Sequence, residues 1–249
     1  MPRPSTSFTA LAGVSVQYDR MTPGAYGTRG VPYRFYCEAG FIASLEACFE
    51  ELGQACPLGP PEMITSAGAW VEKPGRHGSG QAFDLDGLFW SGREFVTLYD
   101  GFQGRDRRFY YAVECILRRH FGQVLNFSYN ADHRDHFHLD HAAAVGLRRG
   151  SNAVAFFVQG LLRTVFELSV AVDGRWGNQT EGALQRAASR VGVNDLDRTL
   201  RRRAIPLPQV RRMGQAGTRD QAVPKSQQLP RYPQAPWSRR PDLHSAQFH

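Results

Sequence analysis

The chain has 249 residues, of which 42% are hydrophobic and 12% aromatic, so it can bury a sizeable core; a wholly disordered, fibrous or coiled-coil protein is excluded. The formal net charge is +7, but residues 201–249 hold ten Lys and Arg against Asp220 and Asp242, which gives that tail +8 and leaves residues 1–200 at −1. The basic character belongs to the tail and not to the body.

Residues 1–30 are rich in Pro, Gly, Ser and Thr and read as an irregular arm. Phe41, Leu45, Cys48, Phe49 and Leu52 then recur at helical spacing, and Gly53 with the Pro57–Pro61 run ends that helix. A second amphipathic helix is marked by Tyr110, Val113, Ile116, Leu117 and His120 to Phe121, with Arg107, Arg108, Arg118 and Arg119 expected toward water. Short strand-like pieces fall at 63–65, 81–85, 95–99, 124–127 and 136–139. Helices beside short strands without a βαβ rhythm predict an α+β domain on an antiparallel sheet. Near residue 150 the pattern changes. Ala153 to Leu168 is an apolar helical run, a turn follows at Asp173 to Gly177, and Asn178 with Glu181 forms a capping-box-like start to another helix, whose buried stripe would be Leu184, Ala188 and Val191. Residues 201–249, rich in Pro, Gln and Arg, are expected to be disordered.

No window approaches the ~18 apolar residues of a bilayer span. Phe8 to Val16 contains Thr9 and Ser15 and no continuous Leu-rich run, so no standard signal peptide is read there. Four cysteines, Cys37, Cys48, Cys56 and Cys115, are too few for a disulfide scaffold, and buried thiols or one or two bridges remain open. No CxxC pair exists to build a zinc ribbon.

The chemistry-bearing residues form two clusters. The first runs from His77 through Gly78, Gly80 and Ala82 to Asp84 and Asp86. On a strand Ala82, Asp84 and Asp86 share one face, and the glycines allow a turn that folds His77 toward it. The second is His133-Arg-Asp135-His136-Phe-His138-Leu-Asp140-His141, which holds four of the eight histidines in nine residues. A strand through it points His136 and His138 the same way while Phe137 and Leu139 enter the core. Imidazole nitrogen and carboxylate oxygen together suit zinc, and a catalytic zinc site uses three protein ligands with one position open for water. His77, Asp84 and His138 would supply those three.

The H-x-x-G-x-A-x-D pattern at His77 to Asp84, followed by D-H-F-H-L-D at Asp135 to Asp140, resembles the extensin-like bacterial proteins. These belong to the zinc D-alanyl-D-alanine peptidase superfamily, with the murein endopeptidases and the hedgehog signalling domain, and the likeness covers about Ile64 to His141. A second stretch, Val172-Asp-Gly-Arg-Trp-Gly-Asn-Gln-Thr180 through Leu184, is similar to the three-helix peptidoglycan-binding module, in which Gly174 and Gly177 would make the turn and Trp176 would fill the core. The two resemblances imply a zinc domain over 31–148 with the hedgehog/DD-peptidase fold and a small helical domain over 151–200. The activity implied is zinc-dependent hydrolysis of an amide bond in the peptide stem or cross-link of the bacterial cell wall. In the carboxypeptidase branch an acid three residues before the last ligand is the base, here Asp135; in the endopeptidase branch histidines two and five before it line the site, here His136 and His133. His136 is expected to orient water or stabilise the oxyanion, with Asp135 as base or as holder of the imidazole tautomer.

Family members often carry an arginine shortly before the first motif to hold a substrate carboxylate; this chain has Lys73 and Arg76 there instead. A lysine is not an equivalent bidentate clamp, so an endopeptidase is favoured over a carboxypeptidase. The expected partner is peptidoglycan, with Zn2+ as cofactor, no specific nucleic acid, weak attraction of the tail to anionic polymers or membrane, and a monomeric state. The expected place of action is the bacterial cell wall or periplasm, reached by lysis, a secretion machine or a non-standard route. A non-catalytic wall-binding protein that keeps the fold is the alternative.

Overall fold

The structure is a computed structural model that describes residues 2–20, 26–98, 102 and 106–193, all of them within one compact unit. The expectation for the tail falls outside these residues. No described helix is long and apolar enough to cross a membrane.

The first surprise is the N-terminal segment. In place of an irregular arm, the chain forms β1 (Ser7–Phe8), β2 (Ala10–Leu11), β3 (Val14–Arg20), β4 (Tyr26–Pro32) and β5 (Phe35–Tyr36). Several of the turn formers that dominate the composition, Ser7, Ser15, Gly27, Thr28 and Gly30, lie within the strands themselves, while Phe8, Leu11, Val14, Val16 and Phe35 are buried and supply the packing that a composition count overlooks. Helix α1 (Ala39–Ala55) buries Phe41, Leu45, Cys48, Phe49 and Leu52, the expected stripe, and continues through Gly53 for two more residues. Strands β6 (Met63–Ser66), β7 (Ala82–Leu85), β8 (Gly87–Trp90) and β9 (Arg93–Val96) precede helix α2 (Asp106–His120), and β10 (Gln123–Leu125) and β11 (Phe137–Asp140) follow it. Helices α3 (Asn152–Thr164) and α4 (Asn178–Arg190) complete an α+β fold with four described α-helices.

Three sheets result: a β1–β5 pair, a three-stranded β10–β11–β7 sheet, and a larger sheet in the order β2–β3–β6–β8–β9 with β4 also on β3. All pairings are antiparallel except β3 with β6. The chain passes from the second sheet to the third at Asp86, the single residue between β7 and β8. Strand β8 lacks a sequence signal because Gly87-Leu88-Phe89-Trp90 has no polar alternation: it is buried on both faces.

Helix α2 buries Tyr110, Tyr111, Val113, Ile116 and Leu117, but Arg118 does not face water as expected. Its guanidinium donates to Glu114 and, at 2.8 Å each, to the Val124 and Ala153 carbonyls, which ties α2 to β10 and to the first turn of α3. Glu114 is fully buried and also accepts from Asn126. Burial raises its pKa against the lowering by Arg118 and Asn126. Gly160 lets α3 approach α2: an added Cβ would stand 2.0 Å from the Tyr111 hydroxyl oxygen.

In the C-terminal segment α3 stops at Thr164, with Glu167 in the left-handed region at φ 55°. Asn178 is not the cap of α4. Gly177 occupies that position with no side-chain bond, and Glu181 instead accepts from Trp176 Nε1 and Arg149. Gly174 has the positive φ of the turn, whereas Gly177 is extended. The buried face of α4 is Thr180, Ala183, Ala187 and Ala188, with Leu184 partly buried and Val191 exposed. Residues 151–193 contain the two helices α3 and α4, and the rest of the expected three-helix segment, 194–200, lies outside the described residues.

Candidate metal centre

Strand register builds the centre. Strand β7 runs antiparallel to β11 with Asp84 opposite His138 and Ala82 opposite Asp140. Directly opposed residues put their side chains on one face within contact distance, and the alternation sends Phe83, Leu85, Phe137 and Leu139 to the other face, where all four are fully buried. Asp84 and His138 therefore meet as a consequence of how the apolar face packs.

His77 arrives from the loop before β7. Gly80 ends this loop in the left-handed region at φ 71°, and a Cβ there would lie 2.4 Å from Pro4 and 3.2 Å from the Glu38 nitrogen. Trp70 Nε1 donates to the Gly78 carbonyl at 3.1 Å and holds the loop from the other side. His77 Nε2 then lies 3.2 Å from Asp84 Oδ1 and 3.1 Å from His138 Nδ1, while His138 Nδ1 is 3.1 Å from the same Asp84 oxygen. These three residues can offer one ligand atom each to a common ion.

The outer nitrogens are committed elsewhere, which fixes the tautomers. His77 Nδ1 donates to the Ala69 carbonyl, and His138 Nε2 donates to Asp140 Oδ2 at 3.0 Å. Asp140 is itself held by Gln123 and by the Ala142 amide. A histidine that donates its far N–H to a carbonyl or carboxylate presents the near nitrogen, in a fixed orientation, to a metal. Four-coordinate zinc with bonds of ~2.0–2.1 Å separates its ligands by ~3.3 Å, and the three observed separations lie close to that edge. The donor set fits zinc in both chemistry and spacing.

The remaining expected residues surround these three. His136 precedes β11 and is buried; its Nδ1 donates to Asp135 Oδ1 at 2.7 Å, and its Nε2 turns inward, 3.6 Å from Asp84 Oδ1. His133 donates from Nδ1 to Asn130 Oδ1, and its ring lies tilted beside His136 and edge-on to His138, with ring centroids 5.1 and 5.7 Å away. All six expected residues are thus brought together. Lys73 and Arg76 are not: both are exposed, and Arg76 is bonded to Gln81 Oε1 at 2.7 Å.

Electrostatics follow from this crowding. Burial alone would raise the pKa of Asp84, but the His136, His138 and His77 rings hold it well below the usual carboxylate range. Burial alone would lower His138, but hydrogen bonds to Asp140 and Asp84 raise it to about 9, so in the metal-free site Nδ1 carries a proton. Burial and the neighbouring rings of His136 and His138 push His133 down to about 4, which keeps it neutral at physiological pH. Asp135 is lowered, because His136 and Arg20 outweigh its burial.

Arg20, Asp86 and Thr97 support the centre, and of these Arg20 and Thr97 carried no sequence signal. Arg20, at the end of β3, binds Asp86 through Nε at 2.5 Å and also approaches Asp84 and Asp135. Asp86 is buried, accepts from the Ala67 amide at 2.7 Å, and has its pKa raised by burial to about 7 despite Arg20. The buried Thr97 hydroxyl lies 2.8 Å from the Asp135 carbonyl and 2.9 Å from the Asp86 carbonyl and donates to one at a time.

Comparison with known proteins gives one family. Residues 65–150 match the family model of the extensin-like protein C-terminus. The extensin-like stretch contains every expected site residue, from His77 to His138, and excludes Arg20. No curated protein and no solved structure matches the chain.

Proposed function

We propose that this protein is a zinc-dependent peptidoglycan hydrolase that cleaves an amide bond within the peptide stem or cross-link of the bacterial cell wall. The observation that carries this reading is the convergence of His77 Nε2, Asp84 Oδ1 and His138 Nδ1 at 3.1–3.2 Å, each histidine locked from behind. Zinc held by these atoms would polarise the scissile carbonyl and lower the pKa of a bound water toward ~7.

The surrounding side chains handle the protons. His133 is neutral and its Nδ1–H is occupied by Asn130, which leaves Nε2 with a lone pair to accept a proton from water. His136 is oriented by Asp135, with its inward Nε2 placed to orient the attacking water. The proton taken up by His133 can then pass to the leaving amine. The reading departs from a carboxypeptidase because Arg20 is engaged by three carboxylates, and Arg76 by Gln81. An open groove of about 360 Å3 follows residues 67–72, whose Ala69 carbonyl holds His77, and is walled by Tyr18, Tyr33, Tyr36 and Trp70 with Arg3 and Arg34 at its rim. It offers aromatic faces and positive charge to an extended, carboxylate-bearing peptide.

The test is mass spectrometry of muropeptides released from purified sacculi, with and without a chelator and with zinc restored. New amine and carboxyl termini at one stem or cross-link bond, lost with chelator and regained with zinc, are expected. Zinc-loaded protein that sediments with sacculi and releases nothing would replace the hydrolase by the non-catalytic wall binder.

A further inference from the structure

Arg20 lies outside the extensin-like stretch, on a strand that the sequence pattern did not reveal, yet its guanidinium reaches three carboxylates of the centre. Nε and Nη2 straddle Asp86 at 2.5 and 3.5 Å. Nη2 also stands 3.8 Å from Asp84 Oδ2, and Nη1 stands 3.7 Å from Asp135 Oδ2. In both outer acids the oxygen facing Arg20 is the one turned away from the histidines. Asp84 shows Oδ1 to His77 and His138, and Asp135 shows Oδ1 to His136. One planar cation thus engages the second oxygen of two acids whose first oxygens face the site.

We propose that Arg20 is a positioning residue that makes Asp84 a one-oxygen ligand, thereby limiting the protein donors to three and keeping the fourth position open. This rests on the metal reading above and deepens it. A carboxylate free to turn can offer both oxygens, which favours higher coordination numbers and ions that prefer oxygen. Attraction of Oδ2 to the guanidinium opposes that turn. Arg20 has only a side-chain exposure of 14%, as does Asp84, so solvent screens the attraction little. The planar, forked geometry matters as much as the charge, since an ammonium cannot straddle Asp86 and still face two further carboxylates. Strand β3 brings this cation in through its parallel pairing with β6, which sets Tyr18 opposite Ser66.

The experiment uses the full chain with Co2+ and Zn2+ as probes and compares wild type with Arg20→Gln, Arg20→Lys and the double variant Arg20→Gln/Asp86→Asn. The double variant removes the buried acid together with its partner, so the fold no longer depends on pairing Asp86. Tetrahedral Co2+ absorbs strongly in the visible and six-coordinate Co2+ weakly, so the spectrum reads ligand geometry without activity. The wild type is expected to show the strong bands. Arg20→Gln and the double variant should lose much of that intensity and bind Zn2+ roughly 10–100-fold more weakly in competition with a chromophoric chelator. Arg20→Lys should recover only part of either. Unchanged spectra and affinities in the folded double variant overturn the role of Arg20 while leaving the metal centre in place. A wild-type chain that binds neither ion removes the metal reading and this proposal with it.

Discussion

On the β7–β11–β10 sheet, one face buries Phe83, Leu85, Phe137 and Leu139, while the other gathers His77, Asp84, His136, His138 and Asp140 within hydrogen-bond or ion-pair distance. In α3 and α4 the buried set is Val154, Val158, Leu162, Leu168, Val170, Ala183 and Ala187, with Phe157, Phe166, Trp176 and Leu184 packed around it. A single polar knot interrupts that apolar core. Gln159 Nε2 lies within hydrogen-bond distance of Asp173 Oδ1, the Arg175 carbonyl and Thr180 Oγ1 and donates its two hydrogens among them, and its Oε1 accepts from the Asp173 and Gly174 amides. The knot is fully satisfied and fixes one turn. The centre on the sheet is different in kind, because its charges repel or desolvate one another unless a cation or a proton sits among them. Burial of polar groups that the fold does not need for packing is a mark of function.

This contrast can be broken most sharply at the ligands. His77→Ala or His138→Ala should abolish stoichiometric zinc, measured by elemental analysis of dialysed protein, with loss of muropeptide release. One zinc per chain in both variants would refute the ligand assignment. Next, His136→Ala should retain zinc yet lower kcat/KM by about 10²–10⁴, and undiminished hydrolysis would remove it from catalysis. On the packing side, Arg118→Leu strands the buried Glu114 carboxylate and should cost about 3–5 kcal/mol in denaturant unfolding. Leu162→Ala should cost about 2–5 kcal/mol by cavity formation, with zinc content unchanged in the folded protein. Smallest and most diagnostic is the pH dependence of metal binding. His138 is protonated below about 9 in the metal-free site, and binding must displace that proton. The apparent zinc affinity should therefore fall about tenfold for each unit of pH below about 9 and level off above it. A flat profile from pH 7 to 9 would place the proton elsewhere.

Much of the centre was legible because its motifs are local. The two-residue spacing of His136 and His138, the same spacing of Asp84 and Asp86, and the glycines after His77 are short-range features that a strand and a turn convert directly into geometry. The helical stripes were readable for the same reason, as the burial of Phe41, Leu45, Cys48, Phe49 and Leu52 shows. Where side-chain chemistry competes with pattern, the reading failed. Arg118 resembles a solvated surface residue until Glu114 and two carbonyls claim it, and Asn178 resembles a cap until Gly177 takes the position.

The sequence by itself singled out the histidines and aspartates that gather at the centre and the faces of β7, β11, α1 and α2 that turn inward, since both follow from periods of 2 and 3.6 along a few turns of chain. Tertiary structure alone decided that Asp84 stands opposite His138 and that Arg20 closes on Asp86 across 66 residues of sequence. Strand register and the pairing of distant strands depend on how whole apolar faces pack together, and no local window contains that information.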